Sequence, residues 1–132
     1  MLAEGAFVKV LFPTAEQPRR PGLLHIGYCL AVAPPLALVA YTSSRSWPAD
    51  VPLPLGVRVF GRDEAARLNQ RPFVLYLKRI AKLPMTARWF PEMHEPSAGI
   101  VAVAPLPLRD ELLDIVRELL RRRREAIRRF GS

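Results

Sequence analysis

The chain has 132 residues, half of them apolar and 24% charged, which is typical of one folded domain and excludes a disordered chain. Lys and Arg number 20 against 12 for Asp and Glu, so the formal charge is +8, which favours a polyanionic partner: nucleic acid, anionic lipid or an acidic protein segment. A single cysteine, Cys29, excludes an internal disulfide and a cysteine-based zinc site, and two histidines argue against a histidine-rich metal site.

Four strands are predicted in the first half of the chain. They cover residues 6–12, 23–33, 36–41 and 57–60, where apolar residues run together or alternate with polar ones. A polar loop, residues 13–20, follows the first strand, and a Ser/Pro-rich loop, residues 42–54, follows the third. The second loop is long enough to suggest a functional role.

The apolar stretch of residues 23–40 has about the minimum length of a membrane-spanning helix. His25 lies inside it, and Pro34-Pro35 at its middle would break a helix. The stretch therefore predicts two buried strands that are joined at the prolines. The N-terminus lacks a basic start followed by a long apolar run, so we expect no signal peptide and a cytoplasmic protein.

The second half of the chain combines two helices with two strands. It predicts a helix of about two turns over residues 63–68, strands over 73–83 and 99–104, and a long helix from Leu108. Asp110, Glu111 and Asp114 are expected in the first turns of the long helix, and Gly131 is expected to end it. The prediction is a mainly β fold: one domain, residues 1–132, with a small antiparallel barrel or sheet, a short inserted helix and a C-terminal helix.

Candidate catalytic residues lie in the first loop and at the end of the third strand. Arg20 could hold a phosphate and stabilise developing charge, and Glu16 in the same loop could act as a general base. Thr42 or Ser43 could orient the phosphate by a hydroxyl hydrogen bond. These residues also fit a solvated loop and a Thr/Ser turn, and strict hairpin pairing does not place Arg20 opposite Thr42. His25, within an apolar strand, is typical of a hydrogen-bonded core residue.

The arginine run of residues 121–129 is a second candidate, for binding phosphates of RNA or DNA. It holds six arginines in nine residues, beyond what capping of a helix requires. A membrane-surface helix and a solvated helix face are the alternatives. The chain has no Gly-rich phosphate loop, no Ser/His/Asp arrangement and no metalloprotease spacing. We therefore expect no cofactor and no metal, which leaves metal-free phosphodiester chemistry or binding alone.

The order of short motifs resembles the MazF/PemK-type toxins of bacterial toxin–antitoxin systems over roughly residues 5–120. The motifs that carry the resemblance are Phe12-Pro13, Arg20-Pro21 before an apolar strand, Tyr41-Thr42-Ser43, the pattern from Phe73 to Pro84 and Gly99-Ile100. The resemblance implies an SH3-like barrel, a homodimer and a metal-independent endoribonuclease. In that family the 2′-hydroxyl of single-stranded RNA attacks the adjacent phosphate and leaves a cyclic phosphate.

The resemblance also implies roles for individual residues. Arg20 matches the catalytic arginine, Thr42 with Ser43 matches the assisting hydroxyl, and Glu16 is the nearest match to the acidic residue of the first loop. The further RNA contacts that we expect are Arg19, Ser44, Arg45 and Trp47. We expect Trp89, in contrast, to pack in the core.

The resemblance implies two partners, RNA and an antitoxin with an acidic, disordered tail. Three features depart from the family pattern: a loose match at Glu4-Gly5-Ala6-Phe7, Tyr41 in place of glycine, and an Arg-rich helical extension at about residues 121–130. They leave open a non-catalytic nucleic-acid-binding or regulatory module on the same barrel.

Overall fold

The computed structural model describes residues 1–130, with side chains described for residues 1–125. It contains six strands and two helices. In chain order these are β1 (Ala6–Leu11), β2 (Leu24–Ala33), β3 (Leu36–Ser43), β4 (Val57–Phe60), α1 (Arg62–Ala66), β5 (Phe73–Pro84), β6 (Ile100–Val103) and α2 (Leu106–Phe130). The mainly β character, the short inserted helix and the long C-terminal helix are confirmed.

All six strands belong to one antiparallel sheet that curls into a half-barrel, in the order β4-β5-β3-β2-β1-β6. β2 and β3 form a hairpin that turns at Pro34-Pro35, as predicted from the prolines. The apolar stretch of residues 23–40 is therefore two strands. Within the described residues, neither helix is long and apolar enough to cross a membrane.

The helices cover one face of the sheet and bury the larger core there. Phe7 is fully buried at its centre, with its ring 5.0 Å from Tyr28, 5.6 Å from Phe73 and 6.3 Å from Phe60. Leu112 of α2 is also fully buried in this cluster. The buried apolar residues of α2 therefore lie near the start of the helix, where they pack against residues of β1 and β5.

One ion cluster ties β4 to both helices. The Arg58 guanidinium binds the Glu64 carboxylate of α1 at 2.7 and 2.8 Å, and it also donates to Glu111 of α2. The hydrogen bonds to Glu64, followed by those to Glu111, raise the pKa of Arg58. Because a guanidinium is planar and forked, it can hold both carboxylates at once.

The opposite face of the sheet is covered only in part. Trp89 and Phe90, in the irregular segment between β5 and β6, pack on Val8, Val10 and Val39. Trp89 is a core residue, as expected. Phe12 and Tyr41 extend this cluster toward the end of the sheet where β2 begins and β3 ends.

Several predicted boundaries differ from the structure by one or two residues, and two of these differences change where candidate residues or helix charges lie. β3 continues through Ser43, so Thr42 and Ser43 lie in the strand and not in the loop that follows it. α2 begins at Leu106, so its first turn holds no acidic residue and Asp110 lies beyond that turn. Pro107 is accommodated because the first N–H groups of a helix have no partner within the helix. The side chains of Ile127, Arg128, Arg129 and Phe130 and the predicted helix end at Gly131 lie outside the described residues.

A bulge of three residues interrupts the pairing of β3 with β5. Tyr41 pairs with Tyr76 and Ala40 pairs with Ile80, so three residues of β5, Leu77 to Arg79, oppose no residue of β3. A bulge bends a strand and changes the direction of its side chains. Here the bulge brings Arg79 to the same face as Tyr41.

Candidate nucleic-acid interface

A cavity of about 680 Å³ opens on the uncovered face of the sheet, where β2 begins and β3 ends. Its lining residues are Leu23, Leu24, His25, Tyr41, Ser43, Ser44, Arg45, Tyr76 and Arg79. Leu23 and Leu24 are 80% and 54% exposed, so two adjacent large apolar side chains lie open at its edge. Within the described chain this lining includes two arginines and no carboxylate, so the cavity suits an anionic ligand with flat or apolar groups.

Tyr41 is the centre of a cluster of rings in this cavity. The rings of His25, Phe12 and Tyr76 lie 4.9, 5.3 and 5.8 Å from it, centroid to centroid. The Arg79 guanidinium carbon lies 3.9 Å from the centre of the Tyr41 ring, which is a close cation–π contact. Partly exposed rings beside a guanidinium form a surface on which nucleobases can stack.

The bulge in β5 makes this cluster possible. Tyr76 and Arg79 are three residues apart in a strand, where regular alternation would place them on opposite faces. The three unpaired residues bring both side chains next to Tyr41. Among the side chains that the structure describes, neither Arg45 nor Arg79 forms an ion pair, so both charges are available to a ligand.

His25 is half-buried beside Tyr41, at the edge of the cavity. Burial lowers the pKa of His25, and the positive charge of Arg79 lowers it further, against a hydrogen bond with the backbone of Thr42 that raises it. The lowered pKa favours the neutral form of the imidazole. A neutral imidazole can accept a proton, which gives His25 a chemical capacity beyond that of the core residue predicted for this strand.

The lowered pKa of His25 predicts a pH dependence of stability. The unfolded chain, whose histidine pKa is about 6.5, takes up a proton before the folded chain does. The contribution of His25 is thus fully present above pH 6.5 and is lost as the pH falls through its lower folded pKa. We expect the fall in melting temperature from pH 7.5 to pH 5 to be smaller in His25→Gln than in wild type. His94→Gln is the control for removal of one histidine, and equal falls in wild type and His25→Gln would contradict the prediction.

The predicted hydroxyl residues lie on both faces of β3. Thr42 is buried, and its hydroxyl donates a hydrogen bond to the carbonyl oxygen of Ile26 in β2. Ser43 faces the cavity, and its hydroxyl oxygen accepts a hydrogen bond of 3.2 Å from the backbone N–H of Arg45. Of the two, Ser43 is the residue that the structure places beside Tyr41 and Arg79.

The predicted first-loop residues, Glu16, Arg19 and Arg20, are exposed. In the described structure none of their side chains makes a hydrogen bond or ion pair, and the backbone N–H of Arg20 donates to the carbonyl of Gln17 at 3.2 Å. The loop rejoins the sheet at Gly22, where a Cβ atom would lie 2.2 Å from the carbonyl oxygen of Phe12. Arg20 lies three residues before Leu23, which is at the edge of the cavity. In the described structure Arg20 and Thr42 form no hydrogen bond with each other.

The remaining predicted contacts lie in the loop after β3. Ser44 and Arg45 line the cavity of Tyr41 and also a smaller cavity of about 150 Å³, which Trp47 lines as well. The Trp47 indole N–H donates to the carbonyl of Val51 at 2.8 Å, which holds the loop in place.

The sequence analysis missed two residues of the cavity, Tyr76 and Arg79. The only signal was an aromatic and a basic residue within an otherwise apolar strand.

The C-terminal arginine run is partly neutralised by its own helix. Arg121 binds Glu118 and Glu125, and Arg122 also binds Glu118. The hydrogen bonds from Arg121 and then Arg122 lower the pKa of Glu118 to about 2. Half of the run's first four arginines are therefore already engaged.

Neither the cysteine nor the potential metal ligands of the described residues form a second candidate site. Cys29 is fully buried, and burial raises the pKa of its thiol to about 11, so it is not a reactive thiolate. The side chains of residues 1–125 contain no group of three or more His, Cys, Asp and Glu residues that could hold a metal ion.

No protein-family model, curated protein or solved structure matches this chain.

Proposed function

We propose that this protein is a metal-independent endoribonuclease that acts on single-stranded RNA, on an SH3-like barrel of the MazF/PemK type. The observation that supports this proposal is the cavity, lined without a carboxylate, in which the Tyr41 ring lies next to His25, Tyr76 and the Arg79 guanidinium. The net charge of +8 favours the same ligand class.

Single-stranded RNA fits this surface better than a duplex does. Its unpaired bases expose flat faces that can stack on Tyr41 and Tyr76, whereas a duplex keeps its bases stacked on one another. Arg79 and Arg45 supply positive charge for the phosphates between the bases. Ser43 and Ser44 add hydroxyl groups at the same edge.

The proposed reaction is an internal transfer at phosphorus. The ribose 2′-oxygen bonds to the adjacent phosphorus, the bond from phosphorus to the 5′-oxygen breaks, and the products are a 2′,3′-cyclic phosphate and a 5′-hydroxyl. A base takes the 2′-hydroxyl proton, and an acid returns a proton to the leaving 5′-oxygen. The neutral imidazole of His25 and the carboxylate of Glu16 are the candidate bases. Arg20 stabilises the charge that develops on the phosphate oxygens.

Incubation of the purified protein with a mixed-sequence single-stranded RNA in EDTA tests this function. We expect discrete cuts whose upstream fragments end in a cyclic phosphate, because the reaction uses the 2′-hydroxyl and no divalent ion. Intact RNA, or cuts that disappear when EDTA is added, would contradict the proposal. A 2′-deoxy oligonucleotide of the same sequence is the control, since it binds without being cut.

We expect the positive charge of Arg79 to contribute an electrostatic part of the free energy of RNA binding. In Arg79→Gln we expect weaker binding of all sequences, and a slope of log affinity against log salt that is smaller by about one. The measurement is fluorescence anisotropy with an uncleavable 2′-deoxy oligonucleotide at several salt concentrations. Arg62→Gln removes the same charge from an 87% exposed side chain on α1, so an equal effect in that variant would contradict a specific role for Arg79.

The proposal includes the partners that the sequence resemblance implies. In the cytoplasm, an antitoxin with an acidic, disordered tail would compete with RNA for the basic cavity, and the active protein would be a homodimer. The first point is tested by asking whether an acidic peptide displaces RNA from the wild-type protein, which retains Arg79. The second is tested by measuring the mass of the protein in solution.

The alternative is a binding module that uses the arginine run and does not cleave RNA. It is favoured by Arg123 and Arg124, which form no ion pair among the described side chains. In this case Arg123→Gln with Arg124→Gln would weaken RNA binding more than Arg79→Gln does, and the EDTA assay would show intact RNA. The two functions are thus separated by the same pair of measurements.

A further inference from the structure

We propose that a second cavity, on the helix-covered side of the same sheet end, holds one unpaired nucleobase of the RNA and selects it through the amide of Gln70. This inference rests on the proposed function and adds a specificity site to it. The cavity has a volume of about 370 Å³ and is lined by Leu24, His25, Ile26, Thr42, Ser44, Asn69, Gln70, Arg71, Pro72, Phe73 and Val101. This volume accommodates one nucleoside.

The Gln70 amide nitrogen has no hydrogen-bond partner in the described chain, although the atom is buried. A buried donor without a partner lowers stability, so such groups are rare and require an explanation. Gln70 lines the cavity, and the torsion that turns its terminal amide is soft. A small rotation therefore presents a donor and an acceptor to a base in the cavity.

Hydrogen bonds anchor the loop that carries Gln70 to its neighbouring elements. The backbone N–H of Gln70 donates to the carbonyl of Ala65 at 3.0 Å, and Asn69 has a φ of 56°, which together form the left-handed end of a helix. The Asn69 side-chain amide also donates to the carbonyl of Val101, in β6, at 2.9 Å. The backbone of Gln70 is therefore tied to α1, and its neighbour Asn69 is tied to β6, so the residue is held beside the cavity while its terminal amide can still turn.

This cavity adjoins the stacking surface of the proposed RNA site. Leu24, His25 and Ser44 line both cavities and form the ridge between them. An RNA strand that stacks one base on Tyr41 can turn its neighbour over this ridge. The lining residues described here include Arg71 and no carboxylate, so the second cavity also tolerates the negative charge of the backbone.

The amide of Gln70 suits recognition of a base edge. Asn and Gln side chains pair with a base through one donor and one acceptor, as they do with adenine. A base that offers an acceptor beside a donor fits, and a base that offers two donors or two acceptors in the same place does not. We therefore expect one position of the cleaved sequence to depend on Gln70.

Sequencing of fragment ends from a randomised single-stranded RNA tests the inference. We expect wild type to prefer one base at one position, and Gln70→Glu, which replaces the donor by an acceptor of similar shape, to reduce that preference roughly tenfold or more. Preferences are ratios within one variant, so a general loss of affinity cancels. An unchanged preference in Gln70→Glu would overturn the inference and leave the proposed ribonuclease function standing.

Gln70→Met separates recognition from folding. Methionine has a similar length and no unpaired donor, so we expect a melting temperature equal to or above that of wild type together with loss of the same base preference. A lower melting temperature with an unchanged preference would identify Gln70 as a structural residue and overturn the inference. A wild-type protein that neither binds nor cuts RNA would instead remove the proposed function itself.

Discussion

Replacement of Arg20 by alanine is expected to lower the rate of RNA cleavage by about 10²–10³-fold and to leave the melting temperature unchanged. The first effect follows from the proposed mechanism, in which Arg20 donates to the phosphate oxygens as charge develops on them. The second follows from the position of Arg20, which is exposed and whose side chain makes no hydrogen bond or ion pair in the described structure. The measurement is the single-turnover rate of cleavage of a defined RNA in EDTA.

Two variants serve as controls for Arg20. Arg19→Ala removes the same charge one residue earlier, and we expect a much smaller loss of rate. Arg20→Lys keeps the charge without the planar fork, so we expect an intermediate rate. A rate in Arg20→Ala within about threefold of wild type, while wild type cleaves, would exclude Arg20 from catalysis and direct attention to Arg79 and Arg45 in the cavity.

Replacement of Phe7 by alanine is expected to lower the free energy of unfolding by about 3–5 kcal/mol, the largest stability effect of any change considered for this protein. Phe7 is fully buried, and its ring touches three other rings from β2, β4 and β5. Alanine would leave a cavity at the point where these strands meet the helices. A loss of this size is a large fraction of the stability of a small domain.

Urea unfolding of Phe7→Ala beside wild type measures this loss. Leu106→Ala is the control, since Leu106 is 69% exposed and we expect a change within about 0.5 kcal/mol. Phe7→Leu is expected to lose less than the alanine variant because it fills more of the cavity. A loss below about 1 kcal/mol in Phe7→Ala would show that the aromatic cluster is not the centre of the core.

The sequence was sufficient to predict the order of the elements. Strand-forming apolar runs, Pro34-Pro35 between two of them and apolar spacings of three and four after Leu108 all predict what the structure contains. These are local patterns, which depend on alternation in a strand and on the period of a helix. The sequence pattern did not give the boundaries at Ser43 and Leu106. The end of a strand depends on pairing with its neighbour, and a helix can begin one residue before a proline.

The candidate site follows from the sequence only in part. Ser43 was predicted from its place at the end of an apolar strand, Ser44 and Arg45 were expected as further RNA contacts, and all three line the cavity of Tyr41. Thr42 was predicted with them, but alternation along β3 turns its side chain to the other face, where it donates to the carbonyl of Ile26. Arg20 and Glu16 lie in an exposed loop, and their roles stay predictions.

The sequence by itself determined the net charge of +8, the order of the strands and helices along the chain and the hairpin at Pro34-Pro35. The tertiary structure alone decided that Tyr76 and Arg79 join Tyr41 and His25 in one cluster, and that Gln70 lines the neighbouring cavity. The physical reason is that a bulge arises from the pairing of two distant strands. Three unpaired residues in β5 change which side chains share a face, and no local period in the sequence records that change.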